Sequence, residues 1–202
     1  MKIRTDFVTN SSSSSFILTI KFDLTNGETI EWEGASDVGE GSWEYIQLSA
    51  RKSPKELGGS KSIDELISML KESVGQGLED YDEGFETIFS DDDEMIQSLK
   101  KLSSMDEISK ITIEGYEDTF HDYEDGPDAS DEIVSYDMKT RKQTAKHMGS
   151  GYIESEGTGG ALDFEFSAEE VDLDEEYIAK KRARFDDLNP WGDEEDWDEE
   201  DE

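Results

Sequence analysis

The chain contains no cysteine, and it has only two histidines, three prolines and 19 basic residues beside 54 acidic ones. Without cysteine it has no disulfide, no thiolate nucleophile and no cysteine-ligated zinc site, which suits a reducing compartment. It also lacks any run of the ~20 apolar residues that a membrane helix requires. We therefore expect a soluble protein of the cytoplasm.

The excess of acidic residues gives a formal net charge of -35 over 202 residues. Residues 168–202 hold 17 acidic and 4 basic residues, so the rest of the chain still carries a net charge of -22. Such a charge repels nucleic acid, phosphate and anionic lipid, and it attracts basic surfaces and cations. We predict a basic protein partner, no direct binding of nucleic acid or membrane, and only weak binding of divalent cations.

Apolar and polar residues alternate from Phe16 to Leu24, which predicts a half-buried strand. A second apolar set begins at Ile30, after a turn that contains Gly27. A two-residue loop would put the two apolar sets on opposite faces of the hairpin. A three-residue loop with Gly27 in the left-handed conformation pairs Phe22 with Ile30, so we expect that loop.

Two amphipathic helices are predicted in the middle of the chain. The first begins at Ser62, where Glu65 completes a capping box. The second is expected from Asp91 to Ser103, with Ser90 as its cap. From residue 109 onward the apolar period returns to two, which indicates several further strands. The pattern predicts an α+β fold, with a mostly antiparallel sheet, two amphipathic helices and a disordered acidic C-terminal tail.

We expect three parts in the chain. Residues 1–15 form a polar, serine-rich segment, residues 16–167 a single α+β domain, and residues 168–202 an acidic tail with a helix at 174–188. A short basic group in the domain is interpreted either as a stripe that balances acidic neighbours or as a docking place for the tail. Its members are Lys139, Arg141, Lys142 and Lys146.

The string from Lys2 to Asn10 is followed by five serines, Ser11 to Ser15, and by Phe16. This opening resembles a leader-like segment that heads many uncharacterised proteins of Firmicute bacteria and their mobile elements. The likeness covers about 16 of the 202 residues. The resemblance implies a bacterial setting, cytoplasmic or phage-related, and a recognition or processing tag. The alternative interpretation is a flexible polar lead-in to the first strand.

No pattern of catalytic, cofactor-binding or metal-binding residues stands out. His121 and His147 lie in different segments, and no strand–turn–helix elbow presents a serine. The acidic strings that begin at Asp80 and Asp122 place glycine fifth, whereas a calcium loop needs it sixth. The glycines of residues 149–160 lack the Lys-Ser/Thr of a phosphate-binding loop. We predict no catalytic site, no cofactor and no dedicated metal site.

The charge favours a non-enzymatic acidic protein that binds a basic surface, such as that of a nucleic-acid-binding protein, as a DNA-mimic-like inhibitor or regulator. Two alternatives remain: a structural or regulatory module that acts through its tryptophan-containing acidic tail, and an enzyme of unrecognised type. Aromatic residues among the acids are the expected anchors for the partner. They are Trp191, Trp197, Tyr81, Phe85, Phe89, Tyr116, Phe120 and Tyr123.

Overall fold

The computed structural model describes residues 13–38, 57–75, 89–120, 128–149 and 163–188. In these ranges six strands form one sheet, and three α-helices pack on it. The strands are β1 Ser13–Leu24, β2 Thr29–Val38, β3 Ile108–Phe120, β4 Asp128–Asp137, β5 Lys142–Gly149 and β6 Glu165–Val171. The helices are α1 Ile63–Gly75, α2 Glu94–Leu99 and α3 Glu175–Leu188.

The strand order is β2-β1-β3-β4-β5-β6, and every neighbouring pair is antiparallel except β5 and β6. The predicted α+β fold with a mostly antiparallel sheet is therefore confirmed. The one parallel pair is joined by the 15 residues between the end of β5 and the start of β6. A parallel pair needs a crossover of roughly a dozen residues or more, and this connection is long enough.

The first hairpin has the expected three-residue loop. Phe22 pairs with Ile30, and Ile20 pairs with Trp32, so the apolar side chains of both strands share one face. Gly27 has a φ of 89°, in the left-handed region that favours glycine. The alternation of apolar residues was thus sufficient to fix the register of this hairpin.

The first strand begins at Ser13, three residues before Phe16, where the alternation begins. The last three of the five serines are therefore strand residues: Ser13 pairs with β3, and Ser14 and Ser15 pair with both β2 and β3. The interpretation of all five serines as a flexible lead-in is wrong for Ser13 to Ser15. Strands pair through backbone hydrogen bonds, which any residue except proline can form. The alternation of apolar residues shows only where side chains are buried, so it does not reveal the serines that extend the strand.

The predicted cap Ser62 is present at the start of α1, but the Glu65 carboxylate accepts from the N–H of Lys61 rather than from that of Ser62, which a capping box uses. The N–H of Glu65 donates to the hydroxyl of Ser62 at 3.1 Å, and the N–H of Lys61 donates to the Glu65 carboxylate at 2.6 Å. The apolar face of the helix lies in the core, as expected. Its buried residues are Ile63, Leu66, Ile67 and Leu70.

The second helix is shorter than predicted, because it spans only Glu94–Leu99. Its cap is Asp93 rather than Ser90. The Asp93 carboxylate accepts a hydrogen bond from the N–H of Met95 at 2.8 Å. Aspartate and serine cap helices about equally well, so the sequence offered several start points, and the structure uses Asp93.

The sheet is covered on both faces. Alternate residues of β1, among them Ile20 and Phe22, join α1 and α2 in the main hydrophobic cluster. Ile17 of the same strand points to the opposite face, where it forms a smaller cluster with Tyr116, Ala129 and Phe185 of α3. The result is three layers, with the sheet in the middle.

The segment expected to be an acidic tail enters this folded body. Residues 168–171 form the second half of β6, and α3 packs on the sheet through Phe185. The expected helix at 174–188 is therefore present as Glu175–Leu188, but it is part of a layer. The abundance of acids concealed the few apolar positions that hold this region. Residues 189–202 lie outside the described residues.

Candidate functional site

An acidic segment runs along one edge of the sheet and into the start of α3. Residues 163–176 contain eight acidic residues and no basic one. All eight side chains are exposed. They are Asp163, Glu165, Glu169, Glu170, Asp172, Asp174, Glu175 and Glu176. We call this segment the acidic edge, since β6 is the last strand in the order of the sheet.

The acidic edge is anchored near both of its ends. The Phe164 ring meets the Tyr136 ring edge to face, with centroids 5.7 Å apart, and the Arg141 guanidinium lies 3.9 Å from the Phe164 centroid. Near the other end, the Asp174 carboxylate accepts a hydrogen bond from the N–H of Tyr177 at 2.8 Å, which caps α3. The exposed carboxylates are therefore presented on a positioned piece of backbone.

Two lysines of the basic group, Lys142 and Lys146, lie in β5 beside the acidic edge. Lys142 lies opposite Glu165 in the parallel register, and Lys146 lies opposite Glu169. This register supports the interpretation of the basic group as a charge-balancing stripe. From Glu170 onward, no lysine or arginine of β5 lies opposite the acids. The second half of the edge therefore carries the denser negative charge.

A second acidic group lies on the sheet face beneath α3. It consists of Glu33 in β2, Glu114 and Asp118 in β3, and Asp131 in β4. Glu114 and Asp118 are four residues apart in one strand, which places them on the same face. The side chains of Asp118 and Asp131 are completely buried. Burying an ionised carboxylate costs free energy unless a cation or a hydrogen-bond donor is paired with it. The partners of these two carboxylates are therefore the important contacts of this face.

Two arginines of α3 supply partners for this acidic face. Arg182 donates from Nε to Oδ2 of Asp118 at 2.5 Å and from Nη2 to Oδ1 at 3.2 Å, a two-point pair. The Tyr116 hydroxyl donates to the same Oδ2 at 3.0 Å. Arg184 donates from Nε to the carboxylate of Glu33 at 2.9 Å. The arginines thus connect α3 to two different strands.

Lys181 and Tyr177 complete the contact at the centre of the sheet. The ammonium of Lys181 hydrogen-bonds to Glu114 and lies 3.4 Å from Oδ2 of Asp131. The Tyr177 hydroxyl donates to Oδ2 of Asp131 at 2.5 Å and is 3.2 Å from Oε1 of Glu114. Burial, and then the hydrogen bond to Asp131, raise the pKa of Tyr177 well above its usual range. Its hydroxyl therefore stays protonated and acts as a donor.

The two carboxyl groups at this centre have pKa values that are pushed apart. Burial, followed by the negative charge of Glu114, raises the pKa of Asp131 to about 6. Burial also opposes ionisation of Glu114, but the hydrogen bond and charge of Lys181 outweigh it and lower the pKa of Glu114. The Oδ1 atom of Asp131 is buried and has no hydrogen-bond partner among the described residues. Asp131 therefore holds its proton to a higher pH than an exposed aspartate does.

The contact between α3 and the sheet is built from ion pairs and hydrogen bonds. Its carboxylates are directed at cationic or hydroxyl groups of α3. Across the ranges that the structure describes, no group of three or more histidine, cysteine, aspartate or glutamate residues is arranged to hold a metal ion. The arrangement holds the basic face of α3 against the sheet.

Two of the aromatic residues expected to anchor a partner are inside the protein. Phe89 is fully buried, and its ring meets the Trp32 ring edge to face at 4.7 Å. Tyr116 is also buried, and its hydroxyl is bound to Asp118. Neither ring is available at the surface, which corrects that expectation. An aromatic residue among acids can be the point where the chain enters the core.

The other expected anchors give no structural outcome. Phe120 is the last residue of β3, but its side chain is outside the described set. The remaining five residues lie outside the described ranges. They are Tyr81, Phe85, Tyr123, Trp191 and Trp197. Their role as partner anchors stays a prediction.

Sequence reasoning missed the acidic face beneath α3, although a signal for it was present. Glu114, Tyr116 and Asp118 alternate along one strand, which puts two acids and an aromatic on one face. The basic residues of α3 were visible as a patch over 180–184. Nothing in either pattern indicated that the two would meet, because they are more than 60 residues apart.

None of the helices in the described ranges combines the length and the apolar character that crossing a membrane requires. Comparison of the chain with protein-family models, with curated proteins and with solved structures finds no match.

Proposed function

We propose that this chain is a non-enzymatic acidic protein that binds the basic surface of a protein partner and thereby competes with nucleic acid for that surface. The observation that carries the proposal is the acidic edge, which presents eight exposed carboxylates and no base over residues 163–176. In line with the resemblance at the N-terminus, we place this function in the cytoplasm of a bacterium.

The physical basis is the attraction between dense opposite charges. Basic grooves bind duplex DNA largely because the release of counterions favours the complex. A row of carboxylates on an anchored strand offers the same Lys and Arg side chains a similar array of negative groups. Because the edge is positioned by Phe164 and Asp174, less conformational entropy is lost on binding than for a free acidic peptide.

The proposal predicts that binding of the partner requires the acidic edge and does not follow from the net charge of the chain alone. We would compare affinity capture from bacterial lysate by three full-length chains at low salt and at about 0.5 M NaCl, where screening shortens to a few ångströms. The edge variant carries Asp163→Asn, Glu169→Gln, Glu170→Gln and Asp172→Asn, all outside α3. The matched control variant neutralises four exposed acids elsewhere: Glu31→Gln, Asp64→Asn, Asp92→Asn and Glu94→Gln.

Wild type and control are expected to retain a basic protein that high salt releases, and the edge variant is expected to lose it. Addition of duplex DNA should release the same protein from the wild type. Equal losses from both variants would mean that diffuse charge, rather than the edge, attracts the partner. Recovery of no salt-sensitive basic protein by any of the chains would contradict the proposal.

A further inference from the structure

Helix α3 fills the acidic sheet face with basic side chains of the same chain. We propose that α3 is a built-in occupant of a docking site, and that the site accepts a basic amphipathic helix of a partner when α3 leaves it. This inference shares one assumption with the proposed function, namely that the partner is a basic protein. It concerns a different surface from the acidic edge.

The first argument is charge complementarity. Four carboxylates of the sheet are opposed by three cationic groups of α3, so the contact keeps one negative charge in excess. The carboxylates are Glu33, Glu114, Asp118 and Asp131, and the cations are Lys181, Arg182 and Arg184. A replacement ligand must bring comparable positive charge, because Asp118 and Asp131 become costly when they are left buried and unpaired.

The second argument is the small apolar contribution to the contact. Phe185 is the one buried residue of α3, and Tyr177, Ile178 and Leu188 are only partly buried against the same cluster. That cluster contains four buried residues, whereas the main cluster on the other face contains eighteen. The main cluster includes no residue of α3. Departure of the helix therefore leaves the main core intact. Local opening of such a peripheral element costs less than global unfolding.

The third argument is that α3 is a poor helix by itself. It has 14 residues, a length that is marginal for an isolated helix in water. Asp186 and Asp187 lie in its last turn, where negative charge opposes the helix dipole, and no basic residue is there. We therefore expect α3 to lose helical structure when it leaves the sheet. The whole helix would then dock and undock as one unit.

The contacts of α3 specify the ligand. Tyr177, Lys181 and Phe185 follow one another at intervals of four, so they lie along one helix face, and Arg182 is adjacent. A fitting partner helix would carry an aromatic residue, a lysine followed by arginine, and a second aromatic residue at the same spacing. Such a helix is cationic on the face that it buries, which excludes nucleic acid as the ligand.

The test uses a fluorescent peptide with the sequence of residues 175–188 and the full-length protein. The docking variant, Arg182→Ala with Phe185→Ala, weakens the resident helix, and Lys180→Ala, whose lysine is exposed on the same helix, is the control. We expect the peptide to bind the docking variant at least about tenfold more tightly than it binds wild type or control, by fluorescence anisotropy. Adding Asp118→Asn to the docking variant should abolish this gain.

A folded docking variant that does not bind the peptide, or that binds a scrambled peptide equally well, would overturn the inference. Should the docking variant fail to fold, wild type gives the answer by hydrogen exchange. Saturating isotope-labelled peptide should accelerate exchange of residues 175–188 in the protein at least about tenfold, and unchanged exchange would reject the idea. The edge variant should bind the peptide as the wild type does, so failure of the proposed function and failure of this inference give different results.

Discussion

The Arg182 guanidinium in α3 and the Asp118 carboxylate in β3 form a two-point ion pair between residues 64 positions apart in the chain. The Asp118 side chain is completely buried, whereas that of Arg182 remains 37% exposed. The pair therefore connects a segment that is acidic in composition to the middle of the sheet. Its geometry leads to the first of five predictions.

Arg182→Ala should lower the free energy of unfolding by about 3 kcal/mol, because it leaves a buried carboxylate without its cationic partner. Lys180→Ala removes an equal charge from the same helix, but its pair with Glu176 is exposed, so it should cost less than about 0.5 kcal/mol. Urea unfolding of both variants measures the difference. Equal small losses would show that the Arg182 pair contributes no more than a surface ion pair.

Asp131→Asn should change how stability depends on pH. The pKa of Asp131 is raised from 3.8 to about 6 in the folded protein, so the folded state holds this proton more tightly than the unfolded state. The resulting stability is present below about pH 4 and is lost as the pH rises through about 6. Between pH 5 and 7 this loss amounts to about 1 kcal/mol for wild type, and Asp131→Asn should remove it.

Urea unfolding from pH 5 to 8 checks this prediction, with exposed Asp64→Asn as the control for removal of one carboxylate. The lowered pKa of Glu114 acts in the opposite direction, since its stability is lost as the pH falls. The informative quantity is therefore the difference between wild type and Asp131→Asn. A difference that stays constant over this pH range would mean that Asp131 does not bind a proton there.

Gly34→Ala should destabilise the protein by about 1–3 kcal/mol, because the new Cβ would lie 2.5 Å from Cη2 of Trp32. The Trp32 ring cannot easily retreat, since it packs against Phe89. In the background of Trp32→Leu, the same change to alanine should cost little. A double-mutant cycle by thermal or urea unfolding measures this coupling. Equal costs in both backgrounds would rule out the clash as the cause.

Sodium chloride should act in opposite directions on the whole domain and on α3. Screening reduces self-repulsion in a chain of net charge -35, so the thermal midpoint should rise as NaCl increases to about 0.5 M. The same salt weakens the ionic contacts of α3, so trypsin should cleave at its four basic residues faster under native conditions. A midpoint that falls with salt, or cleavage that slows, would contradict these respective expectations.

Truncation after Leu188 should leave capture of the basic partner intact. The deletion removes residues 189–202, which contain nine acids and the two residues Trp191 and Trp197. The acidic edge ends at residue 176, so the truncated chain keeps all eight of its carboxylates. Capture at low salt followed by mass spectrometry measures the outcome. Loss of the partner on truncation would instead support the alternative of a module that acts through its tail.

Much of the fold follows from local patterns in the sequence. The hairpin register followed from the alternation of apolar residues around Gly27, and the start of α1 followed from the spacing of Ser62 and Glu65. The predicted start of α2 was wrong, because Ser90 and Asp93 are both good caps and the local pattern does not distinguish between them. Local rules predict an element when one signal dominates, and they fail when several equivalent signals compete.

The sequence by itself determined the charge, the α+β class and the acidic, base-free character of residues 163–176. Only the tertiary structure decided that α3 belongs to the folded body and that Asp118 and Asp131 are buried beneath it. Periodicity reveals which residues share a face of one element, because that depends on neighbours in the chain. Which two faces meet depends on sheet order and on the path of the chain, and these are properties of the whole fold.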